Sequence, residues 1–478
     1  MPSSRISTLA EYNDVRQVHW EEIARGHPGK GFFSREYHRR LGEIYRWLIS
    51  PGQRVLEVGC GRGDLLATLK PSEGVGVDFS AGLLAEARRR HPEISFVQAD
   101  AHQLSLGRTF DVVILSDLVN DVWDVQEVLE RIRAHCTADT RIILNVYSRV
   151  YQPLLSAAGA LGLATRLLPQ NWLTPEDVEN LLRLAGFEVI RRQREILLPL
   201  PIPLLRELCN KVLVKLWPFS AFAWANVFVV RPQAAPATRE PVVSVIVPAR
   251  NEAGNIEAAF RRVPQMGART ELIFVEGHSR DDTYAVIEQA IRDHPERPAM
   301  LFRQTGKGKA DAVRLGFDKA SGDVLMILDA DLTVRPEDLP RFYAALASGT
   351  GEFINGVRLV YPMQEQAMRF MNLIGNKVFS MAFSWLLGQS IKDTLCGTKV
   401  LWKRDYERIV ANRAYFGEFD PFGDYDLIFG AAKQNRKIVD MPIRYQERTY
   451  GATNIDRWRH GVLLLRMVLV AAFRLKFV

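Results

Sequence analysis

Along most of the chain, short runs rich in Val, Ile and Leu alternate with longer stretches of helical character. Short β-branched runs bounded by Gly, Asp or Pro read as buried strands, and the stretches between them as helices. This is the pattern of βαβ units around parallel sheets. Before residue 231 the predicted strands are Arg54–Val58, Gly74–Val77, Ser95–Gln98, Val112–Leu115 and Arg141–Val146, with helices over Ala81–Arg90 and Val125–His135. The apolar runs Phe187–Ile190 and Val227–Val230 complete that sheet. Ile196–Ser220 between them, rich in Pro, Leu and basic residues, fits no element. After residue 240 the predicted strands are Val242–Val247, Leu272–Val275, Met300–Gln304 and Val324–Leu328. Arg231–Glu240, dominated by Pro, Ala and polar residues, has no periodicity and reads as a linker. The expected fold is α/β, with two doubly wound domains over residues 1–232 and 241–460, a linker over 233–240, and an amphipathic segment over 461–478.

Composition narrows the class. A chain of 478 residues is too long for one core at about 100–200 residues per domain. With 47% hydrophobic and 24% charged residues it is globular rather than disordered. A net charge of +7 over this length is a mild excess, suited to phosphates or an anionic membrane surface; no nucleic-acid partner is expected. Cys60, Cys136, Cys209 and Cys396 lie far apart with no CxxC spacing, which argues against a local zinc site or a disulfide framework and for a reducing, cytoplasmic compartment. The N-terminus carries charges where a signal peptide needs an apolar stretch. The longest run without a charged side chain, Val150–Thr165, has 16 residues diluted by Gln, Ser, Gly and Thr. A spanning helix needs ~20 apolar residues, so an ordinary transmembrane helix is not expected.

Arg54-Val-Leu-Glu-Val-Gly-Cys-Gly-Arg-Gly-Asp64 runs a strand into a glycine-rich turn. Gly59, Gly61 and Gly63 permit a sharp turn and the close approach of a ligand, before a helix from Leu65 offers its N-terminus. Alone, such a loop also serves as a plain tight turn. The next strand, Gly74-Val-Gly-Val-Asp78, ends in an acid able to accept both ribose hydroxyls. Phe96-Val-Gln-Ala-Asp100 places another acid where an adenine amino group donates. Singly, Asp78 and Asp100 suit helix caps equally well; three strand ends in register point to a nucleoside pocket. On these residues, the stretch from about 40 to 232 resembles a class I S-adenosylmethionine-dependent methyltransferase. Glu57, Gly59, Gly61 and Gly63 match its loop, Asp78 its ribose acid, and Asp100-Ala101 its adenine pair. The resemblance implies a Rossmann-like domain binding S-adenosylmethionine, with Phe79 and Ser116 also at the cofactor. A pyrophosphate-binding dehydrogenase is the rival, but Glu57 would repel pyrophosphate and suits the cationic methionine end. In the family the methyl acceptor lies near Leu115-Ser-Asp-Leu-Val-Asn-Asp-Val-Trp-Asp124. Asn-Pro-Pro-Tyr is absent, so an oxygen or carbon acceptor is expected. Asp117, Asp121 and Asp124 equally suit solvated caps.

Val324-Leu-Met-Ile-Leu-Asp-Ala-Asp331 ends a strand in two carboxylates one residue apart. That spacing can aim both at one Mg2+ or Mn2+ holding a diphosphate, although Asp331 also suits an N-cap. Val245-Ile-Val-Pro-Ala-Arg-Asn-Glu252 and Phe274-Val-Glu-Gly-His-Ser-Arg-Asp-Asp-Thr283 end two earlier strands in polar groups. Gln304-Thr-Gly-Lys-Gly-Lys-Ala-Asp311 supplies lysines and glycines without Walker spacing. Together, residues 241–460 resemble a family 2 glycosyltransferase of the GT-A fold, of the polyprenyl-phosphate (dolichyl-phosphate-mannose-synthase-like) subgroup.

The resemblance implies a nucleotide-sugar donor bound by Pro248, Ala249, Asn251, Glu252, Glu276, Ser279, Asp281, Lys307, Gly308, Ala310, Asp329, Ala330 and Asp331. Asp329 and Asp331 are the implied metal ligands, and Glu276 replaces the usual base-contacting Asp. Asp393 with Thr394-Leu-Cys-Gly-Thr-Lys399 matches the Asp-x-x-Cys-Gly motif near the acceptor. In Gly423-Asp-Tyr-Asp-Leu427, Asp426 matches the family's catalytic acid and Asp424 the acid before it. A phosphate acceptor is already ionised near neutrality, so this carboxylate orients more than it deprotonates. Arg448, in Arg444-Tyr-Gln-Glu-Arg-Thr-Tyr-Gly-Ala-Thr453, is the implied phosphate binder, its planar fork matching that geometry.

Gly461–Val478 is nearly all apolar but for Arg466, Arg474 and Lys476; Arg459, Arg466 and Arg474, seven and eight apart, share one flank of a helix. It reads either as a helix lying in a bilayer interface or as a helix packed on its domain, and Met368–Leu387 is a second candidate. The reading is a bifunctional transferase, peripheral on the cytoplasmic face of a membrane. It moves a sugar with inversion to a lipid phosphate, with S-adenosylmethionine-dependent methyl transfer beside it. The alternative is a transferase acting on a glycan or lipid-linked saccharide, with a non-catalytic N-terminal half.

Overall fold

The computed structural model describes residues 8–25, 32–160, 168–234, 236–358, 360–361, 370–415, 424–446, 450 and 457–478. The chain divides into two compact units, Met1–Gln233 with Phe477–Val478, and Ala234–Lys476.

The first unit holds a seven-stranded sheet of β1 (Arg54–Val58), β2 (Glu73–Asp78), β3 (Ser95–Gln98), β4 (Phe110–Ser116), β5 (Cys136–Tyr147), β6 (Phe187–Glu195) and β7 (Ala225–Pro232), in the order β3-β2-β1-β4-β5-β7-β6. β1 to β5 run parallel, while β7 is antiparallel to both β5 and β6. Alternate strand residues feed two cores, as a sheet covered on both faces requires. Leu56, Val113 and Leu144 pack on one side, and Val55, Ile114 and Ile143 on the other with Tyr45 and Leu41. Tyr45 and Leu41 belong to the helix Phe32–Leu48, which together with Leu9–Arg25 precedes the sheet.

The second unit holds β8 (Val242–Ala249), β9 (Arg269–Glu276), β10 (Ala299–Arg303), β11 (Val324–Ile327), β12 (Phe353–Val357), β13 (Lys399–Trp402) and β14 (Ile438–Pro442), in the order β10-β9-β8-β11-β13-β12-β14. Here β13 is the reversed strand, antiparallel to β11 and β12. In both sheets the strand order turns back on itself, between β1 and β4 and between β8 and β11. The crevice at the carboxyl ends of such strands is where open α/β sheets bind ligands. The helix Arg457–Ala471 packs on the helix Phe370–Leu387. Among the described residues, no helix is long and apolar enough to cross a membrane.

Candidate functional site

In the first unit the end of β1 carries Glu57, only 2% exposed, and its Oε2 has no hydrogen-bond partner among the described residues. Burial pushes its carboxyl up to about 8. The loop that follows crosses to β2, with Gly59 and Cys60 N–H donating to Val77 O at 2.7 and 3.0 Å. Gly59 has φ +76°, a left-handed backbone that favours glycine, and a Cβ there would press on Leu118 Cδ1 at 2.9 Å. Asp78 clamps this loop: Oδ2 accepts from Gly61 N at 2.8 Å and Oδ1 from Ser80 N at 2.9 Å, while burial raises its carboxyl above the ordinary range. Phe79 and Ser116 lie half-buried beside these strand ends.

Asp100 caps the turn Ala101–Gln103 through His102 N at 3.0 Å and also receives Asn13 Nδ2 at 2.6 Å. Burial would raise its carboxyl, but the bonds from His102 and Asn13 outweigh this and hold it low. Asn13 belongs to an element the sequence reading did not place. The helix Leu9–Arg25 is tied to three strand ends: Glu21 Oε1 accepts from Ser80 Oγ at 2.9 Å and Gly82 N at 3.0 Å near β2, Asn13 reaches Asp100 after β3, and Arg16 Nε and Trp20 Nε1 donate to Asp121 at 2.9 and 3.1 Å after β4. The four-residue spacing of Tyr12, Arg16 and Trp20 was the available signal, one helix side facing a common partner.

The three acids after β4 separate. Asp124 caps the helix Val125–Arg133, accepting from Glu127 N at 3.0 Å. Asp121 is the partner of Arg16 and Trp20. Asp117, in a left-handed backbone (φ 56°), accepts from Tyr37 OH at 2.9 Å and from Asn145 Nδ2, and burial pushes its carboxyl up to about 6. The pocket fits S-adenosylmethionine on one point of chemistry. Its buried carboxylate oxygen on Glu57 lacks a donor, and the methionine end of that cofactor brings a cationic one.

In the second unit the loops after β8 and β9 are knitted together. Asn251 N donates to Ser279 Oγ at 3.0 Å, Arg280 N to Asn251 Oδ1 at 2.7 Å, Glu252 N to Thr283 Oγ1 at 2.9 Å, and Ala253 N to Asp281 Oδ2 at 3.4 Å. Pro248 and Ala249 end β8 above this knot. A cleft beside it is lined by Glu276, His278, Ser279, Asp281, Tyr284 and Arg303. Arg303 is paired with Glu276 by strand register, its Nε 3.7 Å from Oε2, and its guanidinium lies 4.2 Å from the Tyr284 ring centroid. The planar ring and cation of that stack were not read from the sequence.

Asp329 and Asp331 follow β11. Thr333 N and Oγ1 donate to Asp331 Oδ1 at 3.1 and 2.8 Å, and Lys309 Nζ is 2.6 Å from Asp329 Oδ1. Burial would raise the Asp329 carboxyl; the charges of Lys309, Lys399 and Arg358 outweigh it and hold the group low. Lys307 and Gly308 are exposed at the start of the helix Lys309–Lys319, Ala310 is buried within it, and Ala330 is buried between the two acids. A Cβ on Gly397 would land on the Asp329–Lys309 pair, which explains a glycine at that end of the Asp-x-x-Cys-Gly motif. The motif's acid, Asp393, forms a two-pronged ion pair with Arg358, at 2.8 and 3.0 Å. Among the described residues no three His, Cys, Asp or Glu converge on a metal position. Two hard carboxylates nonetheless fit Mg2+ or Mn2+, which commonly take one or two protein carboxylates and complete their shell from water and substrate phosphate.

Asp426 is buried in the helix Asp424–Lys433, and its Oδ2 accepts from Arg413 Nε at 2.8 Å and Arg314 Nη2 at 3.3 Å. Asp424 opens that helix; its side chain, like Arg448, lies outside the described residues.

Comparison with known proteins agrees with this division. Residues 55–139 match the family profile "Methyltransferase domain", and residues 244–409 match "Glycosyl transferase family 2". The dolichol-phosphate mannosyltransferase of Pyrococcus furiosus is 29% identical over 45% of this chain and 59% of its own length. The undecaprenyl-phosphate 4-deoxy-4-formamido-L-arabinose transferase of Pectobacterium carotovorum is 27% identical over 44% of this chain and 62% of its own. The chain thus spans about three-fifths of these relatives. Among solved structures, the magnesium protoporphyrin IX methyltransferase of Synechocystis PCC 6803 with bound SAH aligns over 46% of this chain and 97% of its own, at 18% identity and TM-score 0.33. The methyltransferase match thus falls in the first unit and the family 2 glycosyltransferase match in the second.

Proposed function

We propose that the second unit transfers a sugar, with inversion, from a nucleotide-sugar donor to a polyprenyl phosphate, and that the first unit transfers a methyl group from S-adenosylmethionine. The observation that carries the sugar-transfer reading is the strand-end array of Asp329, Asp331 and Lys309 on the same sheet edge as the Glu276 cleft. The cleft offers a stacking ring and a carboxylate for a base, and the array offers charges for a diphosphate. Both named relatives act, by their names, on a lipid phosphate.

Asp329 and Asp331 would hold Mg2+ or Mn2+, which supplies positive charge to the leaving diphosphate. Lys309, against Asp329, and Lys307, two residues before it, would take up phosphate oxygens. Asp426 is already shared by two guanidinium groups. We assign it to holding Arg314 and Arg413 in place, which suffices for an acceptor phosphate that needs no deprotonation. In the first unit Glu57, Asp78 and Asp100 would hold the cofactor, which supplies the methyl group.

The acceptor places the protein at a membrane. Val462, Leu465, Leu469 and Phe473 are exposed on the C-terminal helix and its last turn, and Val378, Met381 and Trp385 on the helix it packs against. Such a surface beside Arg466, Arg474 and Lys476 suits peripheral docking on an anionic, cytoplasmic-face bilayer. A screen of radiolabelled nucleotide sugars with polyprenyl phosphate, and mass analysis of the product, tests this reading. Asp331→Asn should lose most transfer while remaining folded; full activity in that variant, or in chelator, would overturn the metal-assisted mechanism.

A further inference from the structure

Asp426 stands in the position that the resemblance gives to a catalytic acid, yet it is buried and two cations close on one of its oxygens. Oδ2 accepts from Arg413 Nε at 2.8 Å and from Arg314 Nη2 at 3.3 Å. One guanidinium balances a carboxylate. A second leaves a positive charge over, and each guanidinium carries more N–H donors than the one it gives Asp426. Arg314 makes no other bond among the described residues, and Arg413 Nη2, sheltered from water, has no partner among them. A sheltered donor without an acceptor is costly, so a group that supplies one is expected there. The arginines are also within reach of a ligand: the side chains of Arg314 and Arg413 are 36% and 27% exposed, against 5% for Asp426.

Topology sets this cluster at the ligand edge of the second sheet. β13 runs opposite to β11 and ends with Trp402 beside Val324, at the far end of β11 from Asp329. The helix Lys403–Ala411 packs on β13 and leads back over about 13 Å, and Arg413 comes just beyond its end. The helix Asp424–Lys433 leads the other way, to β14, which enters the sheet with Ile438 opposite Phe353, the first residue of β12. Its first turn, with Asp426, therefore lies at the carboxyl edge as well. The helix Lys309–Lys319 starts at that edge, where Lys309 meets Asp329. Arg314 follows about 7.5 Å along the same axis, and helix side chains lean back towards the N-terminus.

The chemistry and the spacing select the ligand. Two planar forks present paired N–H donors, the geometry that phosphate oxygens meet two at a time. An uncharged sugar hydroxyl would leave the surplus charge unanswered. Lys309, against Asp329, is placed for the donor's diphosphate. An anion held about a turn and a half further along the helix stands off from that diphosphate by roughly the width of a sugar passing between them.

We propose that Arg314 and Arg413, held in place by Asp426, bind the phosphate monoester of the acceptor lipid. The assignment rests on the reading of the second unit as a transferase to a lipid phosphate.

The test measures binding by the full chain in detergent micelles. The probes are geranylgeranyl phosphate, its uncharged counterpart geranylgeraniol, and inorganic pyrophosphate with Mn2+ as a base-free stand-in for the donor's diphosphate. The natural chain should bind the lipid phosphate about tenfold more tightly than the alcohol. Arg413→Gln and Arg314→Gln should each weaken binding of the lipid phosphate about tenfold and leave the alcohol and the pyrophosphate unchanged. Circular dichroism checks the fold, and Arg314, with its one bond at 3.3 Å, is the variant that spares it if Arg413→Gln does not. Undiminished binding of the lipid phosphate by Arg314→Gln would overturn the proposal. A matching loss of pyrophosphate binding in a folded variant would also overturn it, by moving the arginines to the donor site. Inorganic phosphate that displaces the lipid at equal concentration would leave a phosphate site but overturn its assignment to the acceptor lipid. A natural chain that binds pyrophosphate but not geranylgeranyl phosphate would instead overturn the lipid-phosphate reading itself.

Discussion

Two ionisable side chains, the buried Glu57 and the half-buried Lys309, govern how the pockets accept their ligands. With the Glu57 carboxyl up at about 8, the folded chain keeps, between the ordinary carboxylate range and that pH, a proton that the unfolded chain has released. Stability of the cofactor-free protein should therefore fall as pH rises through that window, and Glu57→Gln should flatten the fall. A cationic ligand at Oε2 favours the ionised form, so S-adenosylmethionine binding should release protons near neutrality and tighten towards pH 8. In Glu57→Gln it should be weaker and lose that dependence. Calorimetry in buffers of different ionisation enthalpy measures both. In the other unit Lys309 sits where a metal would meet Asp329. Lys309→Met should tighten Mn2+ binding in the absence of nucleotide, read from the resonance signal of free Mn2+. In the natural chain a nucleoside diphosphate should be needed to draw the lysine away and reach the same affinity. Equal affinity in the two proteins would show that Lys309 does not compete for that position.

The helix Leu9–Arg25 is an element held by polar ties more than by a core: of its side chains only Tyr12 and Arg16 are buried. Local opening of such a helix costs less than opening the sheet. Its amides should exchange with solvent faster than those of β1 and slow when S-adenosylmethionine binds; exchange unaffected by cofactor would separate the helix from the pocket. The sequence reading left this helix unplaced because its partners, Asp100 and Asp121, lie about a hundred residues away. The same distance hid part of the second sheet. β1 to β5 and β8 to β11 run parallel, most of them buried, and read as apolar runs. β12 contains Asn355 and β14 contains Asp440, which look wrong for buried strands until their register is known; Asn355 Nδ2 donates to Asp440 Oδ1 at 2.8 Å across the ladder. Arg358 escaped notice for the same reason, its partner Asp393 being supplied by a later motif. The strand-end acids were legible because a motif is local. The cations that surround Asp329 were not, because three separate elements bring them.

For the whole molecule, the two ligand edges belong to different sheets with different cores. Asp78→Ala removes the clamp on Gly61 and Ser80 as well as the proposed ribose contact, and should weaken cofactor binding at least about tenfold, in line with losing hydrogen bonds to a charged group. Sugar transfer by the same full-length protein should stay near its normal rate; its loss would mean that the two reactions are coupled. The division at Gln233 and Ala234 has a calorimetric consequence. A chain of two separately packed units melts in two steps rather than one, and a ligand raises the melting temperature of the step that contains its own site, by an amount that grows with the logarithm of its concentration. S-adenosylmethionine should shift one heat-absorption peak upward and a nucleoside diphosphate with Mn2+ the other, so that a scan with each in turn tells which peak is which unit.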